Sequence, residues 1–426
     1  MAKRALILIE VSPWDVGPLY AHRAERLGLC PIILSADPAR YDRGAAQGIK
    51  AVRVDTDNLD ALIQECCRLG SVYDIAGITG TGDTFYATVG KLCRHFELPG
   101  PNPESVERCC DKFVQRQVLA EAGVPMPDYR LAANATDVAR SATEIGLPVI
   151  VKPAIGNSSC GVRLCRTADE ITEHTTYLLG GKHIWRCSPR ILVEEFAQGP
   201  YFNAEIMGNK LIGIGTADVG DPPYFVFRGW TFPAPLTDDD RKRIADVSLS
   251  CLQVLGLGWG PTGVELRWTK RGPVVIEVNP RLHCTPTPQL IQLAYGIDVI
   301  TEHIKLAIGE ELDLHKKRSQ TAGARMLVPD RDGTLGSIVG ESRAAAISGV
   351  AEVNFYVQPK TQIMRKGDSR DWIGHVIAAS PIGTRTEAIL ERAVALIDFS
   401  IAPFSTLGEQ DQPEAAPSQA DIHRHK

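Results

Sequence analysis

Val274-Val275-Ile276-Glu277-Val278-Asn279-Pro280-Arg281 is a strand-like run that carries polar side chains among aliphatic ones. A similar run, Gly263-Val264-Glu265-Leu266-Arg267-Trp268, precedes it across the turn at 269–273, so the two predict a β-hairpin. Successive side chains of a strand point to opposite faces. The side chains at 274, 276 and 278 are therefore expected on one face of the second strand, and those at 275, 277 and 279 on the other.

The polar residues of this hairpin are expected to meet on one patch. Glu277 and Asn279 share a face, the pairing brings Glu265 alongside, and Arg281 joins if the extended geometry continues. A lone glutamate on a strand is usually solvated, but Glu277 interrupts an apolar run, where an unpaired carboxylate is costly. Carboxylate and amide oxygens suit Mg²⁺ that bridges nucleotide phosphates, and a guanidinium suits a developing oxyanion.

Size and composition are those of a globular enzyme with several domains. The chain has 426 residues, 44% of them apolar and 23% charged, which suggests two to four domains. The net charge of −5 gives no reason to expect nucleic acid or a membrane surface as a partner. No apolar run approaches the roughly 20 residues of a membrane span, and the run at 5–9 is too short for a signal peptide.

The cysteines predict a reducing, cytoplasmic environment rather than a disulfide framework. There are 11 of them, two pairs are adjacent, and no C-x-x-C motif occurs. Most are expected to be small buried hydrophobes. Cys160 and Cys284 lie in candidate functional loops, but a nucleophilic role is the less favoured interpretation of both.

The first domain, residues 1–110, alternates short apolar runs with helical patterns. The runs are 5–9, 31–34, 51–54 and 75–78, with helix-like stretches such as 18–29 and 59–69 between them. This alternation predicts βαβ units and a parallel sheet, whose ligands bind at the carboxyl ends of the strands. The Gly80-Thr81-Gly82-Asp83-Thr84 loop occupies such an end, although an ordinary strand-to-helix turn explains it equally well.

The rest of the chain is divided into three folded units and a tail. Residues 111–190 take in most of a helix predicted over 103–122, a strand that ends at Lys152, and the small-residue loop 154–162, here named the phosphate loop. Residues 191–323 contain strands at 191–196, 202–207 and 210–215 and the hairpin. Residues 324–403 form an α+β unit, and the polar tail 404–426, with His423 and His425, is expected to be disordered and solvated.

Several groups that suit ATP precede the hairpin along the chain. Lys112 and Lys152 can neutralise phosphates, and the phosphate loop can cradle them with backbone N–H groups because its side chains are small. The strand at 194–196 can read a base. The loop lacks the ending of a P-loop and the G-x-G-x-x-G fingerprint, so a Walker-type NTPase is not expected.

This series resembles the ATP-grasp superfamily over roughly residues 75–310. The matching segments are Asp111-Lys112 with Arg116 (its D-K-x-x-x-R helix), Lys152-Pro153 with the loop to Gly161 (its K-P and glycine-rich loop), Glu194-Glu195-Phe196 (its adenine hinge), and Glu265, Glu277, Asn279 and Arg281 (its E…E-x-N-x-R signature). The resemblance implies a multidomain α/β and α+β protein with the ATP-grasp fold. An N-terminal βαβ parallel-sheet domain would precede the central ATP-grasp subdomains and a C-terminal α+β unit.

The resemblance also implies the ligands of the site. ATP and Mg²⁺, or Mn²⁺ in its place, are expected as cofactors, and the phosphate loop would close as a lid. Tyr201 stands where the superfamily often has a ribose-binding glutamate, which leaves Glu205 as the nearby acid. The residues expected to contact the nucleotide are Lys112, Lys152, Ser158, Ser159, Gly161, Glu194, Glu195, Phe196 and Glu205; the metal ligands are Glu265, Glu277 and Asn279; and the catalytic residue is Arg281.

Over its whole length the chain is similar to the L-amino acid ligases, the dipeptide synthetases of peptide-antibiotic pathways such as those for bacilysin and dapdiamide. Leu98-Pro99-Gly100, the segment 222–234 and the C-terminal unit with Gly367 carry this likeness. After Arg281 the run at 282–288 replaces the Gly-Gly turn of many relatives. The likeness implies small-molecule carboxylate and amine substrates, and dimers among the relatives suggest a homodimer by analogy.

The resulting hypothesis is ligation of a carboxylate to an amine through an acylphosphate. Asp83, Glu205 and His283 are equal candidates for the base that accepts the proton of the amine. Another ATP-grasp enzyme, of the purine-biosynthetic or biotin-carboxylase kind, is an alternative, and so is a non-catalytic nucleotide-binding protein. A dehydrogenase is disfavoured, because no glycine fingerprint follows the strand at 5–9.

Overall fold

The computed structural model describes residues 2–12, 16–42, 48–180 and 190–404. Its N-terminal domain is a parallel sheet with helices packed on it, which confirms the prediction from the alternating apolar runs. The elements of this domain are β1 (Lys3–Ile9), α1 (Val16–Arg26), β2 (Cys30–Ser35), β3 (Lys50–Arg53), α2 (Leu59–Gly70), β4 (Tyr73–Gly80), α3 (Asp83–His95) and α4 (Pro103–Cys110). The strands lie in the order β3-β2-β1-β4, and aliphatic side chains of the sheet form one core with α2 and α3.

The helix predicted over 103–122 is two helices, because the chain breaks at Asp111. Asp111 has extended backbone angles (φ −95°, ψ 106°), and its carboxylate accepts from the N–H groups of Phe113 and Val114 at 3.0 and 3.2 Å. It therefore caps a second helix, α5 (Lys112–Glu121). The N–H of Lys112 donates to the carbonyl of Ala154 at 2.8 Å, which ties the start of α5 to the phosphate loop.

Two antiparallel sheets form the centre of the molecule. The smaller subdomain contains β5 (Tyr129–Ala132), α6 (Ala135–Ile145), β6 (Val149–Pro153), β7 (Arg163–Cys165), α7 (Ala168–Leu179) and β8 (Ile191–Glu195). The larger contains β9 (Tyr201–Met207), β10 (Lys210–Val219), β11 (Phe227–Phe232), α8 (Asp238–Leu255), β12 (Pro261–Thr269), β13 (Gly272–Asn279), α9 (Thr287–Tyr295) and α10 (Val299–Ala307). The smaller sheet has the order β5-β8-β6-β7, so its subdomain continues past the predicted boundary at 190 to include β8.

The larger sheet continues without a break into the C-terminal unit. That unit contains β14 (Thr321–Leu327), β15 (Gly333–Val339), α11 (Glu341–Ala345), β16 (Val350–Phe355), β17 (Gln362–Ile363), β18 (Gly374–Ser380), α12 (Gly383–Ala395) and β19 (Asp398–Ala402). The larger sheet has the order β13-β12-β9-β10-β11-β14-β18-β16, while β17-β15-β19 form a small separate sheet. The predicted boundary at 324 falls inside β14, which pairs with β11 on one side and β18 on the other.

The predicted hairpin is β12 and β13, and it contains one β-bulge. Glu265 pairs with Glu277, but the next pair joins Leu266 to Val275, so Ile276 is an extra residue in β13. The predicted alternation of faces is therefore wrong on one side of the bulge. Val275 packs in the core of the larger subdomain, whereas Ile276 lines the same cavity as Glu277.

Two of the compositional predictions can be compared with the described residues. Within those ranges, no helix is long and apolar enough to cross a membrane. Ten cysteines are described and all ten are free thiols, as the sequence predicts. The tail beyond Phe404, with His423 and His425, lies outside the described residues.

The N-terminal domain meets the larger subdomain at a buried histidine. His303 on α10 is 1% exposed, and its Nδ1 lies 2.5 Å from the hydroxyl of Tyr20. Its Nε2 lies 3.2 Å from the hydroxyls of both Thr79 and Tyr86. Burial lowers the pKa of His303 to about 3, so the imidazole is neutral in the folded protein at neutral pH.

This histidine is expected to make the protein less stable in mild acid. The unfolded chain, with a histidine pKa of about 6.5, binds a proton that the folded state excludes. The contribution of His303 to the free energy of unfolding therefore falls as pH drops from about 6.5 towards 3. The slope is about 1.4 kcal/mol per pH unit, and urea unfolding at about pH 7.5 and about pH 5 measures it. His303→Gln should flatten the slope, while His315→Gln, at a side chain that is 95% exposed, should not. An unchanged slope in His303→Gln would contradict this account.

Candidate active site

A cavity lies between the smaller and the larger sheet. Its walls come from β6 and β8 on one side and from β9, β12 and β13 on the other. The predicted site residues that line it are Lys112, Lys152, Ser159, Glu194, Glu195, Phe196, Glu265 and Glu277. Ser158, Gly161, Glu205, Asn279 and Arg281 are not among its lining residues.

Lys112 links the hairpin to the phosphate loop. Its Nζ lies 2.9 Å from Glu277 Oε1 and donates to the carbonyl of Gly156 at 2.5 Å. Burial disfavours the charge, but the attraction of Glu277, Asp83 and Glu265 outweighs it and raises the pKa of Lys112. The first turn of α5 thus holds a charged ammonium where the hairpin and the loop meet.

Lys152 belongs to a buried ion cluster on the side of the cavity formed by the smaller sheet. Glu194 receives Lys152 Nζ at 2.6 Å on one oxygen and Arg116 Nε at 2.8 Å on the other. Arg116 also donates to the carbonyl of the bulged Ile276. Burial lowers the pKa of Lys152, whereas the pKa of Glu194 is lowered, against the effect of its burial, by the two cations. The cluster fixes β8, β13 and α5 relative to one another.

The hairpin residues fit a magnesium ion that is completed by other oxygens. Glu265 and Glu277 are direct cross-strand partners, and Asn279 Nδ2 lies 3.3 Å from Glu265 Oε1. Among the residues described, there is no group of three or more His, Cys, Asp or Glu side chains that could hold a metal alone. Mg²⁺ commonly takes one or two carboxylates and fills its octahedron with phosphate oxygens and water. The donor set therefore suits Mg²⁺ bound together with a nucleotide and would not form a closed metal site.

The environment of Glu265 keeps it ionised. Burial alone would raise its pKa, but His283, the hydroxyl of Tyr201 and Arg281 together lower it. Tyr201 donates directly to Glu265. An ionised Glu265 is the form that a divalent cation requires.

Arg281 pairs with Asp83, a contact between the hairpin and the N-terminal domain. Arg281 Nε lies 2.5 Å from Asp83 Oδ1, and Asn157 of the phosphate loop reaches the other oxygen at 3.5 Å. Burial would raise the pKa of Asp83, but Arg281 and Lys112 lower it. Asp83 opens α3 after the Gly80–Gly82 turn, so the loop noted at the carboxyl end of β4 contributes to the site.

Glu205, which is expected to contact the nucleotide, is not among the residues that line the cavity. Its Oε1 lies 2.5 Å from Nδ1 of His283, whose Nε2 is 3.6 Å from Glu265. The ring lies over Gly263, where an added Cβ would be 2.1 Å from a ring carbon. The attraction of Glu205 and Glu265 outweighs burial and raises the pKa of His283 to about 10. Glu205 therefore belongs to a buried ion cluster with His283 and Glu265.

An aromatic wall extends from the predicted hinge residue Phe196, and its other members were not among the predicted site residues. Phe196 and Phe225 stack at 5.8 Å between ring centroids. The guanidinium of Arg267 lies 5.6, 5.2 and 5.5 Å from the rings of Phe196, Tyr201 and Phe225. This wall suits the planar base of a nucleotide. The side chain of Glu195 points away from it, to Arg271 at 2.7 Å.

Two family models match this chain. The model of the carbamoyl-phosphate synthase L chain ATP-binding domain covers residues 111–315, and that of L-amino acid ligase C-terminal domain 2 covers residues 325–402. The first match contains the cavity and its ionised groups. The second coincides with the C-terminal unit.

Relatives and solved structures agree with these matches. The uncharacterized protein y4rH of Sinorhizobium fredii is 59% identical over 410 residues, 96% of this chain and 86% of that protein. Carnosine synthase 1 of Mus musculus is 26% identical over 71% of this chain and 39% of its own length. The crystal structure of an L-amino acid ligase from Bacillus licheniformis superposes with a TM-score of 0.80 at 20% identity, covering 94% of this chain and all of that one. The chain therefore belongs to the ATP-grasp superfamily of ligases and, within it, resembles the L-amino acid ligases.

Proposed function

We propose that this protein is an ATP-dependent carboxylate–amine ligase that joins an amino acid, or a modified amino acid, to the amine of a second one. The products would be a dipeptide or amide, ADP and phosphate. The observation that carries the proposal is the meeting of Lys112, Glu277, Glu265 and the Arg281–Asp83 pair beside the cavity between the two sheets. This arrangement provides cations for phosphates, carboxylates for a metal and a guanidinium for a substrate carboxylate.

The reaction would proceed in two steps. A carboxylate oxygen attacks the γ-phosphorus, the bond from that phosphorus to ADP breaks, and an acylphosphate forms. The amine then attacks the acyl carbon, the carbon–oxygen bond to phosphate breaks, and a proton leaves the nitrogen. Of the three candidates for the acceptor of that proton, His283 is held protonated by Glu205 and Glu265 and is therefore the poorest. When bound, Mg²⁺ held by Glu265, Glu277 and Asn279 would neutralise charge on the phosphates.

The protein's own groups would act on charge and position. Lys112 already bridges the hairpin and the phosphate loop, so it can follow the loop as it closes on phosphates. Lys152, held by Glu194, would offer a point charge further along the phosphate chain. Arg281, oriented by Asp83, would bind the carboxylate and then the oxyanion of the tetrahedral intermediate.

The biological setting proposed is peptide-antibiotic or other specialised metabolism in the cytoplasm. Similarity to L-amino acid ligases over nearly the whole chain supports the substrate class. The similarity to carnosine synthase supports it as well. The free thiols of the ten described cysteines agree with a reducing compartment.

A screen of amino-acid pairs tests the proposal. The assay measures phosphate released from ATP and Mg²⁺ with single amino acids and with pairs, and mass spectrometry identifies the products. We expect pair-dependent ADP formation with a new amide mass, which Glu277→Ala should abolish and Glu310→Ala, at an exposed ion pair, should not. Turnover that requires bicarbonate or a non-amino-acid carboxylate would remove the dipeptide assignment. ATP binding without turnover on any acid would favour a nucleotide sensor.

A further inference from the structure

The segment 366–372 of the C-terminal unit, here named the latch, contacts the phosphate loop. The N–H of Ser369 donates to the carbonyl of Ser158 at 3.4 Å. Burial and the nearby carboxylate of Asp368 raise the pKa of the Cys160 thiol, two residues further along the loop. Cys160 also lines the cavity proposed for the nucleotide. The latch therefore lies next to a loop residue that faces this cavity.

The latch is itself rigidly built around two buried aspartates. Asp368 is 1% exposed and accepts from the N–H, Nε and Nη2 of Arg370 at 3.0, 2.9 and 2.6 Å. Asp371 accepts from the N–H groups of Lys366 and Gly367 at 2.6 and 2.8 Å. Trp372 Nε1 donates to the carbonyl of Phe227 at 2.9 Å, which anchors the latch on β11 of the larger sheet.

The far end of the phosphate loop is tied to the same region. Gly367 has φ +78° and lies so close to Tyr224 that an added Cβ would be 2.6 Å from its ring. The guanidinium of Arg163 lies 5.7 Å from the centroid of that ring, and the N–H of Leu164 donates to the carbonyl of Pro223 at 2.9 Å. The latch therefore packs against the segment that holds the end of the loop.

The phosphate loop needs such support, because its conformation is unfavourable by itself. Ser158 and Ser159 have φ of +58° and +60°, the left-handed region that side-chain-bearing residues rarely adopt. Ser158 is also exposed, so few contacts of its own hold it there. Contacts from outside the loop therefore help to hold it in this conformation.

We propose that Asp368 is a positioning residue, through which the C-terminal unit latches the phosphate loop closed over the nucleotide. The role rests on the proposed function in one respect, since a closed loop keeps water from an acylphosphate. Opening of the latch would allow nucleotide to leave. It would also allow water to compete with the amine for the acyl group. The C-terminal unit thus controls the yield of amide per ATP.

Replacing Asp368 tests the latch in solution. Asp368→Ala is expected to speed release of a fluorescent ATP analogue about tenfold, the effect of losing a hydrogen bond to a charged group, and to raise the ratio of phosphate to amide. Asp368→Asn keeps an oxygen that can accept from the N–H of Arg370 and should recover most of the coupling. Asp330→Ala removes an exposed aspartate of the same unit, paired with Arg331, and should behave like wild type. Wild-type release and coupling in folded Asp368→Ala would overturn the proposal.

A reversible cross-link tests the same contact without any ligase substrate. Asp368→Cys places a thiol beside Cys160, and mild oxidation should join them, slow release of the nucleotide analogue about tenfold or more, and be reversed by dithiothreitol. Adding Cys160→Ser should prevent the cross-link. Failure to cross-link, or a cross-link without effect on release, would overturn the latch. A working latch with no amide from any amino-acid pair would instead overturn the proposed function alone.

Discussion

Arg281→Ala is expected to lower kcat by about 10²–10³ with little change in the KM for ATP. Arg281 does not line the nucleotide cavity, and its Nε is held by Asp83 at the edge of the hairpin. Arg281 is therefore expected to stabilise the reacting carboxylate and the oxyanion and to contribute little to nucleotide binding. Steady-state ADP formation, with ATP varied at saturating amino acids, separates kcat from KM.

Three further variants define what Arg281 contributes. Arg281→Lys keeps a charge but lacks the planar fork, so it should recover little activity. Asp83→Asn keeps Arg281 and loses only its charged partner, so we expect a smaller loss of about tenfold. Arg241→Ala, at an exposed pair on α8, is the control and should keep wild-type kcat. A rise in the KM for ATP as large as the fall in kcat for Arg281→Ala would mean that the residue binds nucleotide. That result would contradict the assigned role.

The sequence predicts the strands of the site well, because alternation and apolar runs are local signals. The pairing of Glu265 with Glu277 was predicted from the two runs and is confirmed by the register of β12 and β13. The bulge at Ile276 could not be predicted, because one inserted residue leaves the composition of a strand unchanged. In three dimensions the carbonyl of this extra residue accepts from Arg116, a partner that the local pattern does not contain.

Local sequence patterns do not predict which charged residues pair with one another. Asp83 and Arg281 are 198 positions apart, and Glu205 and His283 are 78 apart. No periodicity links such positions, so the sequence names Glu205 as an acid near the nucleotide and does not indicate its pairing with His283. The break at Asp111 is different, since an aspartate before a helical run is a recognised capping signal that the prediction of one long helix passed over.

Glu194→Ala is expected to lower the free energy of unfolding by about 3–5 kcal/mol, the usual result of leaving buried charge uncompensated. The side chains of Arg116, Lys152 and Glu194 are 0%, 5% and 3% exposed, so water cannot replace the lost carboxylate. Urea unfolding followed by circular dichroism near neutral pH measures the change. A loss that size could leave the chain only marginally folded, so Glu194→Gln, which retains one of the two acceptor oxygens, should be measured beside it.

The neighbouring residue supplies the matched control. Glu195 lies on the same strand but pairs with Arg271 at the surface, and Glu195→Ala should cost at most about 1 kcal/mol. A joint replacement, Arg116→Met with Lys152→Met and Glu194→Leu, should be more stable than Glu194→Ala because no charge is then left unpaired. It should also fail to bind ATP, since Lys152 would be absent. If the joint replacement restores stability but does not bind ATP, the cluster is required for the nucleotide and not for the fold. If Glu194→Ala loses little stability, water reaches the cluster and its burial has little energetic weight.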